Sequence, residues 1–512
     1  MRRRIGKLGF VWNFPLFAIM LSLFSGALCM LLSGKTAKLY TIILEGILIV
    51  FSAAVLRMTL RAGQAFTYVM GEFPAPWGNE IRMGVLEALL SLVFLIVMLC
   101  SILAGGRFVK EDLDESKVNL YYGLVNLMTA ALLALIYTND IFTGYVFVEI
   151  LTLSSIGVLI VREIGRTTLA AMRYMILNLL GSGLFLLGVV LLYNITGNLL
   201  MVPMHDAIAE LILDSRNIPV LSVALGIVTI GLSIKSGLFP FHYWMPDTYG
   251  RATPTSASLL SALVSKAYIF LLIKIYCRVA GWDVLERLPL GRVLMILGMC
   301  GIVFGSVAAI RADNINRMAA FSSAAQIGYI FMGIGIGGTA GYTAAVFHIL
   351  AHAVTKSQIF LTTPRLAEVS GGSLLFRNLR GSALRDRDAG KAFGIGALSM
   401  VGLPIFAGFA SKILFGVAAV DTGQKDIVFA VLLVLAVSSL LNALYFIRTL
   451  LLIYIEPSEE QKAALPGAFK TRTFHHMDYL LPMIVLSLMN FFLGVFSWAA
   501  VGWIQAGLAM LG

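Results

Sequence analysis

Long apolar stretches, separated by short polar breaks, follow one another along the whole chain. A helix needs about 20 apolar residues to cross a bilayer core that is about 30 Å thick. The pattern therefore predicts an all-α integral membrane protein of about 14 transmembrane helices. The predicted spans are 8–33, 40–60, 84–105, 119–137, 141–161, 171–193, 219–240, 256–276, 292–311, 316–337, 342–363, 393–416, 426–454 and 477–503.

The composition agrees with a lipid environment and excludes several other classes. The 512 residues are 59% hydrophobic and only 13% charged, whereas soluble domains carry about 25% charged residues. The net charge of +11 comes without the clustered basic face of a nucleic-acid binder, so no nucleic-acid partner is expected. The four cysteines form no C-x-x-C pair, so we expect no zinc or iron–sulfur site and no cofactor on this chain.

The loop cations predict an orientation in the membrane. When arginines near the span ends are counted with the adjoining loop, the odd-numbered loops hold 21 of the 38 lysines and arginines, while the N-terminus and the even-numbered loops hold 12. Because cytoplasmic loops are enriched in these residues, both termini are expected outside the cytoplasm. The N-terminal residues Arg2, Arg3, Arg4 and Lys7 oppose this orientation locally.

Charged residues inside the predicted spans are the main functional signal. A charge at mid-bilayer costs at least about 2.5–3.5 kcal/mol, and small or hydroxyl residues would hold helices together more cheaply. Glu149, Lys235, Lys266 and Lys412 lie within apolar surroundings and therefore indicate function. Lys274 lies near a span end, where snorkelling to the interface or a static ion pair is the simpler interpretation.

These groups have the chemistry of a proton relay. Burial disfavours the charged form of a lysine, and a nearby carboxylate favours it, so a movable partner makes a lysine switchable. His348, His352 and Lys356 follow one another at spacings of four and so share one helix face. This spacing can also bind a metal, but no carboxylate or further histidine is evident nearby. A proton relay is the favoured interpretation.

Two spans contain similar breaks. The seventh span holds Gly231–Gly237 (GLSIKSG) and the twelfth holds Gly402–Gly408 (GLPIFAG). Interrupted helices at corresponding positions are typical of transporters built from repeated halves. Since five spans separate the breaks, we predict two inverted five-helix repeats, helices 4–8 and 9–13. The predicted break residues are Gly231, Gly237, Pro240, Gly402, Pro404 and Gly408.

A family resemblance rests on four segments. The longest is KSGLFPFHYWMPDTYGRATPTSASLLSALVSKAYIFLLIK, from Lys235 to Lys274. The others are NRMAAFSSAAQIGYI, HILAHAVTKSQIFL and GLPIFAGFASK, which begin at Asn316, His348 and Gly402. Together they resemble the proton-translocating antiporter-like subunits of respiratory complex I, of Mrp-type sodium/proton antiporters and of membrane-bound hydrogenases.

The resemblance implies a fold and a set of roles. The fold has fourteen helices with broken helices 7 and 12, in four parts: 1–118, 119–276 (helices 4–8), 292–454 (helices 9–13) and 477–512. Glu149 would pair with Lys235 and control its protonation. Lys266 would be the central relay, and His348 or His352 would extend the path to Lys412 as the terminal site.

The resemblance also implies a setting. Lysines at 266 and 412 and the stretch Gly71–Leu92 look most like the D-type subunit of Mrp antiporters and its hydrogenase counterpart. Glu87 stands where that branch would have an aspartate, and structural packing is its expected role. We expect a proton-translocating subunit in a prokaryotic cytoplasmic membrane, with other membrane subunits as partners. Any sodium path is expected in neighbouring subunits, because sodium prefers oxygen ligands.

Three alternatives remain. The first is a proton-pumping subunit of complex I, an NADH-quinone oxidoreductase whose redox centres are on other chains. The second is a structural scaffold subunit with a vestigial ion path, which the costly mid-membrane charges disfavour. The third is a stand-alone transporter of organic substrates, which would call for a roomy polar cavity rather than a line of titratable groups.

Overall fold

The computed structural model describes residues 9–73, 78–457 and 477–511. This part of the chain is almost entirely helical, which confirms the all-α prediction. Thirteen of its helices are long and apolar enough to cross a membrane. In chain order they are Phe10–Cys29, Gly34–Ala62, Val85–Asp112, Glu115–Tyr137, Ile141–Ile160, Gly165–Thr196, Ser215–Arg251, Pro254–Ala280, Leu290–Arg311, Ile315–Ile336 and Gly338–Glu368 (spans 1–11), then Lys425–Tyr454 and Met477–Val495 (spans 13 and 14).

The twelfth span consists of two half-helices, Arg387–Val401 and Ala407–Asp421. Each has 15 residues, and at 1.5 Å per residue neither half crosses a bilayer core of about 30 Å by itself. Together the halves account for the fourteenth predicted crossing. The prediction of about fourteen spans is therefore confirmed.

The seventh span is also interrupted. Its first part, Ile218–Ser236, ends at Gly237, and the chain resumes as Phe241–Trp244 and Met245–Arg251. Gly237 and Gly402 both have left-handed backbones, with φ of 79° and 93°, a conformation that glycine adopts without a steric penalty. Because four crossings lie between them, spans 7 and 12 run in opposite directions, as inverted repeats require.

Two of the predicted break residues lie elsewhere. Gly231 is inside the continuous first part of span 7, where an added Cβ would lie 2.6 Å from the Phe185 amide nitrogen of span 6. Gly408 is the second residue of the second half of span 12, where a Cβ would lie 1.8 Å from the Ser399 carbonyl oxygen. Both glycines thus permit close backbone packing beside a break, rather than forming it.

Spans 8 and 11 lie at the centre of the bundle, and both are fully buried along their apolar windows. Span 8 is irregular: its α-helical parts Pro254–Leu259 and Ser265–Ile275 alternate with π-helical turns at Leu260–Val264 and Tyr276–Ala280. Single π turns inside α-helices are rare and frequently accompany functional positions. The first of these turns ends two residues before Lys266.

Several connecting elements were not predicted. A short antiparallel hairpin, Phe66–Val69 with Glu80–Met83, joins spans 2 and 3. The helices Met201–Leu211, Trp282–Arg287 and Ser382–Arg385 lie in loops, and the last predicted span (477–503) divides into Met477–Val495 and Ser497–Ala509. The N-terminal cations Arg2, Arg3, Arg4 and Lys7, like residues 74–77 and 458–476, lie outside the described residues.

Candidate functional site

One end of the candidate site is a carboxylate–lysine pair between spans 5 and 7. Lys235 lies two residues before Gly237, at the end of the first part of span 7. Its Nζ atom is 3.9 Å from Glu149 Oε1 and donates a hydrogen bond of 2.7 Å to Thr152 Oγ1. Lys235 is completely buried, whereas the Glu149 side chain is 23% exposed. The hydroxyl therefore holds the ammonium group closely, while the carboxylate lies at the outer limit of an ion pair.

Span 8 completes the surroundings of Lys235. The Tyr268 hydroxyl is 3.0 Å from Thr152 Oγ1, and Lys235 Nζ is 5.4 Å from the centre of the Tyr268 ring. A cation at this distance is attracted to the ring. Thr152 and Tyr268 were not predicted as site residues. Thr152 could have been found, because it lies three positions after Glu149 and so on the same helix face.

Lys266 is the central lysine of the site. It is completely buried, and its Nζ donates to the Ser261 carbonyl oxygen within the first π turn. The Ser261 hydroxyl is 2.9 Å from that of Ser323 on span 10. No carboxylate lies within ion-pair distance of Lys266 among the described residues. An ammonium group in this position is costly, because its only acceptor is a neutral carbonyl.

Lys356, His352 and His348 form a row on span 11, as their spacing predicted. Lys356 Nζ donates to the Ala319 carbonyl oxygen at 2.9 Å and to the Ser322 hydroxyl, both on span 10. The two histidine rings are nearly parallel, with centroids 5.9 Å apart. Neither ring nitrogen of His352 has a hydrogen-bond partner among the described residues. Both nitrogens are therefore available to accept or pass on a proton.

Lys412 lies at the other end, on the second half of span 12. Its Nζ donates to the Val401 carbonyl oxygen at 2.7 Å and to Ser439 Oγ of span 13 at 2.9 Å. Val401 is the last residue of the first half-helix, so this carbonyl has lost its helical partner at the break. The neighbouring Ser411 hydroxyl is 2.7 Å from His348 Nδ1. The break thus brings Lys412 beside the histidine row.

Electrostatic contacts connect the members of the site. His348 interacts with Lys266 and with Lys412. His352 interacts with Lys266 and with Lys356. The structure therefore places five groups of spans 8, 11 and 12 in one connected cluster. Span 8 also carries Tyr268, which lies beside the Glu149–Lys235 pair.

Lys274 and Glu87 lie in a different cluster. Lys274 is completely buried, so it does not snorkel to an interface, and it donates to the Ile136 and Thr138 carbonyl oxygens. Glu87 forms a buried ion pair with Arg82 of the hairpin. Arg82 also donates to the Met510 carbonyl oxygen. These contacts join spans 3, 4 and 8 to the C-terminal helix.

Sequence analysis missed one fully buried carboxyl group, Glu45 of span 2. The sequence feature that could have identified Glu45 is the same as for Glu149, namely a single acidic residue within an apolar run (LYTIILEGILIVF). Among the described residues, no group of three or more His, Cys, Asp and Glu side chains is arranged to hold a metal ion.

The bundle contains two interrupted helices that run in opposite directions around a line of titratable groups. This arrangement defines a multi-pass membrane protein of transporter-like architecture. The family model described as "NADH:quinone oxidoreductase/Mrp antiporter, TM" matches residues 138–441. This match covers more than half of the chain, and the protein belongs to this family. The predicted resemblance to antiporter-like subunits is confirmed.

The curated relatives come from two kinds of complex. The chain is 32% identical over 454 residues to the N-type subunit of the NADH-quinone oxidoreductase of Desulforudis audaxviator (strain MP104C), with 87% of each chain covered. It is 24% identical over 459 residues to the D-type subunit of the Na(+)/H(+) antiporter of Bacillus subtilis (strain 168), with 89% of each chain covered.

Solved structures match the whole fold. A chain of the membrane-bound sulfane sulfur reductase, an archaeal respiratory membrane complex, has a TM-score of 0.84 and 25% identity, with 97% of each chain covered. A chain of the Mrp complex from Dietzia sp. DQ12-45-1b has a TM-score of 0.85 and 22% identity, with 98% of each chain covered. The second likeness shows the fold alone.

Proposed function

We propose that this chain moves protons through its membrane by way of Glu149, Lys235, Lys266, the span 11 row and Lys412. The observation that supports this most strongly is the pair of Lys235 and Glu149, whose charged atoms are 3.9 Å apart beside the break in span 7. A buried pair at this separation is close enough for the carboxylate to stabilise the ammonium form. It is also loose enough to open without breaking a hydrogen bond.

The proposed transfer begins with this pair. While Glu149 is near, the ammonium form of Lys235 is stabilised, and when the carboxylate withdraws, this stabilisation is lost. The proton then leaves towards Lys266, past the hydroxyl groups of Thr152 and Tyr268. From Lys266 it continues along span 11 to Lys412. Neutral histidines suit the intermediate steps, because imidazole both accepts and donates a proton.

We propose that the chain works within a multi-subunit complex of a prokaryotic cytoplasmic membrane, with both termini outside the cytoplasm. Its relatives include a subunit of NADH-quinone oxidoreductase and a subunit of a sodium/proton antiporter. A complex I-type host is thus at least as well supported as the Mrp or hydrogenase type. In either host, redox centres and any sodium path would belong to other chains. A purely structural subunit would not need the buried lysines, whose burial is costly.

Replacement of Glu149 by glutamine tests the proposal. The change keeps the side-chain size but removes the charge that stabilises the ammonium form of Lys235, so proton transport by the intact complex in vesicles should fall at least severalfold. Exposed Glu115 at the aqueous start of span 4 provides the control, since Glu115→Gln should transport like the unchanged protein. Equal transport by the Glu149 and Glu115 variants would contradict the proposed role of the pair.

The two hosts are distinguished by the proteins that accompany the chain. Purification from the native membrane, followed by mass spectrometry, should recover either small hydrophobic subunits alone or subunits with iron–sulfur or nickel–iron centres. The first result would identify an antiporter complex, and the second a redox-driven pump. Recovery of the chain without other membrane subunits would contradict the proposed assembly.

A further inference from the structure

Glu45 is a completely buried carboxyl group outside the proposed relay. It lies on span 2, which packs against spans 1, 3 and 4. The residues on the other face of the same helix, including Ile43 and Val50, are exposed by 53% and 64%. Glu45 therefore points into the N-terminal group of helices and away from this exposed face.

The contacts of Glu45 satisfy only half of the carboxyl group. The Thr129 hydroxyl donates to Glu45 Oε1 at 2.7 Å. Oε2 has no hydrogen-bond partner, and Glu45 forms no ion pair, among the described residues. An ionised carboxylate that is removed from water and has one neutral donor is very unfavourable. A proton on Oε2 removes this charge.

Polar side chains occur on both sides of Glu45 along the same face of span 2. One turn away, Thr41 Oγ1 accepts a hydrogen bond of 3.2 Å from Asn126 Nδ2 of span 4, and Asn126 Oδ1 is a second buried acceptor with no partner among the described residues. On the other side, two turns along the helix, Ser52 lies near the hydroxyl of Tyr137. Thr41, Glu45 and Ser52 follow at spacings of four and seven, and so share one helix face.

The line ends at the hairpin side of the bundle. The Tyr137 hydroxyl is 2.7 Å from Ser91 Oγ of span 3. Ser91 lies one helical turn after Glu87, which pairs with Arg82 at the hairpin. Hydroxyl groups can both donate and accept, so these side chains can carry a proton from the hairpin side as far as Ser52, which lies two helical turns from Glu45.

We propose that Glu45 is a proton-binding carboxyl group that exchanges its proton with the hairpin side of the membrane along this line, independently of the lysine and histidine relay. The titratable groups on the helices packed around it include Cys29 of span 1, Lys38 of span 2, Glu87 of span 3 and Tyr137 of span 4. None of them forms a hydrogen bond with Glu45. The bound proton is thus held by the carboxyl group itself.

Infrared spectroscopy of the intact complex in membranes tests the bound proton. The difference spectrum between the unchanged protein and Glu45→Gln should contain the carbonyl band of a protonated carboxyl group at neutral pH, and added sodium chloride should leave it unchanged. A carboxylate band in its place would overturn the proposal. Loss of the band on adding sodium but not potassium would also overturn it and would indicate a sodium site, since Thr41, Thr129 and Asn126 place oxygen atoms near the carboxyl group.

Transfer to heavy water tests the exchange. The band should shift as the proton is replaced by deuterium, and Tyr137→Phe, which removes a hydroxyl from the line, should slow this shift severalfold. A band that does not shift, or that shifts equally fast in Tyr137→Phe, would overturn the proposed line. The band should persist in Glu149→Gln, because the two sites are separate. A failure of the proposed relay therefore leaves this test unaffected.

Discussion

Proton transport should be abolished when Lys235 is replaced by alanine, while the complex still assembles. The change removes the group that binds Glu149, Thr152 and the face of Tyr268. Positioned proton-transfer groups contribute about 10²–10⁴-fold to a rate, so a loss of at least about 100-fold is expected. The measurement is acidification of vesicles that contain the purified complex, normalised to the amount of assembled complex.

Two further variants separate proton transfer from packing at this position. Lys235→Met keeps the unbranched stem in its buried site but has no titratable group, so it should be as inactive as Lys235→Ala. Thr152→Val retains Lys235 and removes only the hydroxyl that holds it at 2.7 Å, so its loss should be smaller. If Lys235→Met transported protons at the rate of the unchanged protein, the proposed role of Lys235 in proton transfer would be contradicted.

Lys412→Arg should also abolish transport, although it keeps the positive charge and the hydrogen-bond donors. Arginine can still donate to the Val401 carbonyl oxygen and to Ser439, the two acceptors of Lys412. Its guanidinium group, however, does not release a proton in proteins. The variant should therefore unfold at the temperature of the unchanged protein and lose at least about 100-fold in proton transport.

Lys412→Ala gives the complementary result. Alanine leaves the partly buried Val401 carbonyl at the break without its donor, and an unsatisfied acceptor costs at most about 1–3 kcal/mol. This variant should lose both transport and thermal stability. Lys425→Ala, at the exposed start of span 13, is the matched control and should change neither quantity. Full transport by Lys412→Arg would mean that Lys412 serves only as a hydrogen-bond donor to the backbone at the break in span 12.

The break in span 12 shows how its parts are stabilised by distant residues. Ile405 has a positive φ of 75°, which is strained for a β-branched residue. The Ala407 amide donates to Asn490 Oδ1 of span 14 at 3.2 Å, and Asn442 of span 13 donates to the Met400 carbonyl oxygen at 3.2 Å. The surrounding helices thus supply partners for the backbone groups that the break exposes, as a hydrocarbon environment requires.

The sequence by itself determined the membrane class, the crossings and the positions of the two interruptions. These features follow from local pattern, because a bilayer requires a long apolar stretch for each helix and because glycine and proline interrupt such stretches. The charged residues Glu149, Lys235, Lys266 and Lys412 were also predicted from the sequence, since lipid makes each of them conspicuous. The roles of these residues in transport stay predictions.

Only the tertiary structure decided which groups meet. The contact of Lys235 with Thr152, the contact of His348 with Ser411 and the burial of Glu45 beside Thr129 all depend on how helices that are distant in the sequence rotate and pack. Hydropathy reports the apolar content of a span but not the direction in which a particular side chain points between neighbouring helices. For this reason the spans could be predicted from local pattern, whereas the hydroxyl partners and the second buried carboxyl group required the packed bundle.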